Sequence, residues 1–210
     1  MKPILFLFAL ALPLSAAISI TLPGITETSL WELNRTNYLS VTTNSFRTAT
    51  IPWTASAIPT SGTSSALFNK VSGGGYMATT FMYTAPVGGS FRLYDESPLA
   101  AMETIVMQGY ISDPFDGMPV FNFNGGSQSI PASFSIIVSG EGYPARAWQW
   151  DLSGVAGPID RYEILFSGHF ATNSLIVDSG TTFLQVIPEP SSALLACSAL
   201  AFSLIRRRRA

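Results

Sequence analysis

The sequence predicts an all-β protein: an antiparallel β-sandwich or jelly-roll-like single domain set between two hydrophobic end segments. Side chains alternate with period two, rather than 3.6, from about Thr28 to Ile187. Turn-forming clusters punctuate these runs, often at intervals of ten to fifteen residues. No part of this body carries a long, capped amphipathic helix.

The elements follow in chain order. Met1 to Ala17 reads as a secretory signal peptide: Lys2 supplies the positive start, Ile4 to Leu14 the apolar stretch, and Ser15-Ala16-Ala17 the small residues of a cleavage site. The run is too short for a membrane anchor, which needs ~20 apolar residues. Residues 18–187 form the body. Gly75 to Thr84 reads as one strand with Met77, Thr79, Phe81 and Tyr83 on one face. Phe91 and Leu93 oppose Arg92 and Tyr94, and Phe121 and Phe123 oppose Asn122 and Asn124. Phe134, Ile136 and Val138 alternate with Ser133, Ser135 and Ile137, and Tyr162, Ile164 and Phe166 with Arg161, Glu163 and Leu165. Such alternation puts one face on a core and the other towards water. Between these runs fall Gly73-Gly74-Gly75, Gly88-Gly89, Asp116-Gly117, Gly125-Gly126, Gly140-Glu141-Gly142 and Gly157-Pro158, giving ten to twelve candidate strands.

The C-terminal segment, residues 188–210, has three parts in a fixed order. Pro188-Glu189-Pro190 breaks the backbone ladder, Ser191 to Ile205 is uncharged, and Arg206-Arg207-Arg208-Arg209 closes the chain. As a helix the uncharged part would cover ~22 Å, short of the ~30 Å hydrocarbon core unless the Pro-Glu-Pro turn and snorkelling arginines extend it. Arginines favour the cytoplasmic side, so the segment would insert as a transmembrane helix with the body outside. This ordered motif resembles the PEP-CTERM sorting signal of exported bacterial proteins. The resemblance implies recognition of the tail by an exosortase, an integral-membrane cysteine protease or transpeptidase, and delivery to the cell surface or an exopolysaccharide matrix. Ala147 to Ser153, with Gly157-Pro158-Ile159 and the strand Arg161 to Ser167, is similar to the last third of many PEP-CTERM cargo proteins; it implies a β-sandwich and no activity. Leu195-Ala196-Cys197 resembles a lipobox but stands in the wrong tail for one.

Charge and cysteine usage narrow the function. Removing Lys2, Arg206 to Arg209 and Glu189 leaves six basic and twelve acidic residues, a body near −6 without a basic stripe. Binding to nucleic acid by counterion release is unsupported, as is attraction to anionic lipid. The single cysteine, Cys197, lies in the tail, so the body has no disulfide framework and no thiolate metal site. Hydrophobic residues make up 47% of the chain and charged ones 11%, enough apolar surface for a core.

Four constellations are candidates for chemistry. Trp148 and Trp150 share one face of a strand: exposed, they would stack on sugar rings; buried beside Leu152, they would fill the core. Trp53, Tyr76, Tyr83, Tyr94, Tyr110 and Tyr143 are further sugar-contact candidates. Asp113, Asp116, Asn122 and Asn124 offer oxygen ligands that suit a structural Ca²⁺, though Asp and Asn are also ordinary turn residues. His169 is the only histidine, and no Gly-x-Ser-x-Gly elbow nominates a serine partner. Asp178-Ser179-Gly180-Thr181 resembles the catalytic loop of pepsin-like aspartic peptidases. Those enzymes need two carboxylates sharing one proton, and this chain has one copy. The alternative is a hairpin turn between strands Leu175–Val177 and Thr182–Ile187. No catalytic residue and no cofactor is assigned. The expected function is structural or adhesive, on the cell surface or in the extracellular matrix. The alternatives are a carbohydrate-binding module associated with exopolysaccharide and, lastly, a hydrolase built on Asp178.

Overall fold

The computed structural model describes residues 20–42, 53, 55–84, 87–138 and 143–187. The expected signal peptide and the expected sorting helix lie outside the described residues. Strand β1 (Thr26–Glu32) is followed by a short helix α1 (Arg35–Thr42), then β2 (Ser61–Gly62), β3 (Leu67–Gly73), β4 (Tyr76–Met77), β5 (Met82–Tyr83) and β6 (Gly89–Asp95). The second half contains β7 (Thr104–Ile111), β8 (Val120–Phe123), β9 (Ile130–Pro131), β10 (Phe134–Val138), β11 (Ala145–Asp151), β12 (Tyr162–Gly168) and β13 (Ala171–Gly180).

These strands form the two antiparallel sheets of a sandwich. The first has the order β10-β11-β7-β13-β1-β2, with β5 also pairing to β13 and β4 to β5. The second has the order β3-β6-β12-β8-β9. The last two long strands occupy central places: β13 lies between β7 and β1, and β12 between β6 and β8.

The alternation expected for β6 and β12 is present residue by residue. Phe91, Leu93, Tyr162, Ile164 and Phe166 are buried, while Arg92, Tyr94, Glu163 and Leu165 are half-exposed on the outer face. From the first sheet, Trp31, Ile105, Met107, Trp148, Trp150, Leu175 and Val177 meet them in one core. Phe115, in the loop after β7, stacks between Trp148 of one sheet and Phe166 of the other, 4.8 Å from each ring. Phe68, Phe91 and Phe166 continue the stack at 5.6 to 6.2 Å. Each buried aromatic contributes roughly 1.5–3 kcal/mol through area alone, which lets a body without disulfides hold together.

Three local expectations are corrected. Residues 75–84 are a tight hairpin, β4–β5, closed by the Ala78 amide donating to the Phe81 carbonyl at 2.7 Å. The turn resets the parity, so Met77 and Met82 are the buried pair and Thr79 is exposed. Helix α1 interrupts a stretch expected to be extended. Asn34 caps it, its Oδ1 accepting from the Asn37 amide at 3.0 Å. Finally, Asp178-Ser179-Gly180 is the end of strand β13 rather than a hairpin turn, because β1 and β7 pair with it on both sides. Thr182–Ile187 is no strand; it runs as a strap over the outer face of the first sheet.

Candidate functional site

The two tryptophans expected as a possible sugar platform are core residues. Trp148 is 6% exposed and Trp150 is fully buried, its Nε1 donating to the Ile130 carbonyl at 3.1 Å. Both stand on the inner face of β11, where Phe115 and Phe121 cover their rings, so neither can stack on a sugar. Trp53 is likewise buried. Tyr76 and Tyr83 pack edge to face on each other, and Tyr110 and Tyr143 are half-buried.

The oxygen ligands considered for Ca²⁺ are dispersed in their roles. Asp113 and Asp116 are exposed in the β7–β8 loop, where Asp113 accepts from the Ser112 hydroxyl at 2.8 Å. Asn122 is buried in β8, its Oδ1 taken by the Ser129 amide at 2.7 Å. Asn124 Oδ1 accepts from the Asp160 amide at 2.8 Å and organises the turn before β12. Among the described residues no group of three or more His, Cys, Asp or Glu side chains is placed to hold a metal ion. His169 is exposed after β12 and lies 5.8 Å from the Tyr83 ring.

Asp178 is nearly buried on the outer face of the first sheet. Its carboxylate accepts from the Thr28 hydroxyl at 2.6 Å and from Gln108 Nε2 at 2.9 Å. Burial pushes its pKa above the ordinary value, and the two hydrogen bonds oppose that rise. Nearby, Gln149 clamps the strap. Its Nε2 donates to the Leu184 carbonyl at 2.8 Å, and its Oε1 accepts from the amides of Val186 and Ile187 at 3.0 and 3.4 Å. Phe183 stacks on Phe134 alongside. These contacts read as architecture.

A groove of about 220 Å³ lies on the outer face of the second sheet. Its floor follows from strand register. Glu163 of β12 stands opposite Tyr94 of β6 and Asn122 of β8, and Leu165 stands opposite Arg92 and Val120. The Arg92 guanidinium lies 4.4 Å from the centre of the Tyr94 ring, and the Tyr94 hydroxyl is hydrogen-bonded to Ser56 at 2.8 Å. Asn122 Nδ2 donates to Glu163 Oε1 at 3.2 Å. At the rim, Arg161 and Glu96 form a loose ion pair at 3.9 Å, both side chains more than half exposed. Arg161 reaches across the turn at Gly125, where φ is +70° and a Cβ would stand 2.5 Å from the guanidinium.

The sequence placed Arg92 with Tyr94, and Arg161 with Glu163, on shared strand faces. It did not show that β6 and β12 are neighbours, and so did not reveal the groove. The available signal was a set of polar residues at the outward positions of two strands whose inward positions are mainly apolar. Compared with protein-family models, with curated proteins and with solved structures, the chain matches none at a significant level.

Proposed function

We propose that this chain is an exported structural or adhesive protein of a bacterial cell surface or exopolysaccharide matrix. Pro188, Glu189 and Pro190 are the element read and processed by an exosortase, Ser191 to Ile205 a transient membrane span, and Arg206 to Arg209 the charges that stop transfer. The body is the cargo. One observation carries this reading: Ile187, directly before the Pro-Glu-Pro triplet, is fully buried and its amide is held by Gln149. A cut beyond Ile187 would leave these contacts of the strap in place.

The test is a comparison of the full chain with a version ending at Ile187 in a host that has an exosortase. The full chain should pass through a membrane-held form and reach the surface fraction, while the shortened one should be released or left in the periplasm. Identical retention and sorting of the two would overturn the proposal. Carbohydrate binding is the second reading, and the polar groove on the second sheet favours it where the tryptophan pair does not.

A further inference from the structure

We infer that the outer face of the second sheet is a binding site for a neutral polysaccharide, with Arg92 and Glu163 gripping adjacent hydroxyl groups of one sugar unit. This deepens the adhesive reading by naming the surface and the ligand class. It rests on that reading only for where the polysaccharide is met.

Two side chains in the groove keep hydrogen-bonding capacity unused. Arg92 is half-buried, and among the described residues no carboxylate pairs with it; its guanidinium lies over the Tyr94 ring. A guanidinium has five N–H donors in a planar fork. Glu163, also half-buried, accepts one hydrogen bond, from Asn122, out of the several its carboxylate can take. The two residues occupy diagonal positions on adjacent strands, where long side chains are within mutual reach, yet no ion pair joins them. A strong donor and a strong acceptor therefore face one groove side by side.

Ligand chemistry follows by elimination. Two arginines and two glutamates line the groove, so its charges balance and favour neither an anionic nor a cationic sugar. A purely apolar guest would strip water from two charges and return no bonds, a cost of about 1–3 kcal/mol or more for each group. A vicinal diol satisfies both: each hydroxyl accepts from the guanidinium and donates to the carboxylate. The groove's size, about 220 Å³, is below the ~300 Å³ typical of drug-sized pockets and suits one monosaccharide unit.

The site is also held ready. Tyr94 is pinned by Ser56, Arg92 by the Tyr94 ring, Glu163 by Asn122, and Asn122 by the Ser129 amide. Fixing these side chains in the free protein lowers the ordering cost of binding. The same sheet face continues into a second, more apolar trough of about 400 Å³ along Leu165, Val120, Val71 and Met118. Val71 and Met118 are 44% and 45% exposed. The C–H faces of further sugar rings would lie there, so the face suits a chain rather than a free sugar.

The experiment is affinity electrophoresis of the full-length protein in mild detergent, through gels containing dextran, galactomannan, hydroxyethyl cellulose or alginate. At least one neutral polymer should retard the protein, while alginate, a polyuronate, should not. Arg92→Met should weaken that retardation tenfold or more and Glu163→Gln several-fold, with Asp113→Asn as an unchanged control. Circular dichroism would establish that each variant keeps its sheet content. Retention by none of the neutral polymers, tighter retention by alginate, or undiminished retention of a folded Arg92→Met/Glu163→Gln double variant would each overturn the inference. Failure here with correct sorting of the full chain would leave the exported-protein reading standing. Failure of the truncation test with intact retention would do the reverse.

Discussion

The Thr28 hydroxyl donates to Asp178 Oδ1 over 2.6 Å, tying the first strand of the sandwich to the last. The carboxylate is nearly buried and its pKa is raised above 3.8, so the folded state holds the proton more tightly than the unfolded chain does. Stability contributed through this group is present below the unfolded value and falls as pH rises from there through the folded pKa. Asp178→Asn keeps the shape, and turning the Gln108 amide would present its unpartnered Oε1 to the new Nδ2. The variant should unfold within about 1 kcal/mol of the parent below that window and lose less stability across it. Urea titrations between pH 3 and pH 7 would check this; parallel pH profiles for both proteins would contradict it.

Lys70 presents the opposite sign. Its side chain is fully buried on β3 beside the Phe91 ring, its Nζ has no hydrogen-bond partner, and burial lowers its pKa. The unfolded chain binds this proton more readily, so stability rises with pH from the lowered folded pKa up to 10.5. Lys70→Met, similar in volume and without the charge, should stabilise the body by about 1–3 kcal/mol at neutral pH. The advantage should shrink towards pH 10.5. A variant less stable than the parent at pH 7 in denaturant melts would show that the amine has a favourable role.

Trp148 separates core from surface. Sandwiched on Phe115 and buried, it should cost about 3–5 kcal/mol on replacement by alanine. Trp148→Phe should cost less and leave polysaccharide retention unchanged, since the ring never reaches the groove. Loss of retention in a well-folded Trp148→Phe protein would move the binding site to the first sheet.

Gln149 holds the strap through three main-chain bonds, and Gln149→Leu leaves the Val186 and Ile187 amides without their acceptor. The expected cost is about 1–3 kcal/mol. Limited proteolysis should cut between Thr181 and Ile187 faster than in the parent, while amide exchange in β6 and β12 stays slow. Equal cutting rates would mean that Phe183 stacking alone secures the strap.

Legibility followed parity. Where a strand keeps strict alternation, as in β6 and β12, the sequence predicted which side chains share a face. The β4–β5 hairpin escaped because its closing turn, at Ala78 and Phe81, contains no Gly, Pro, Asn or Asp, so the local pattern mimics one strand. Asp-Ser-Gly in β13 carries turn-forming residues, yet pairing with β1 and β7 overrides that preference. The tryptophan pair admitted both burial and exposure, because period two reveals which residues share a face without revealing which face is inward. The groove needed the order β6-β12-β8, a long-range fact that no short window of sequence contains.

The central positions of β12 and β13 bear on when the body can close. Before residue 162 is made, β3 and β6 have no link to β8 and β9. Before residue 171 is made, β1 and β2 likewise have no link to β7, β11 and β10. The last two long strands, β12 and β13, complete one sheet each, and pairings of such long sequence separation form slowly. Neither sheet can therefore be complete until the C-terminal part of the body has been made.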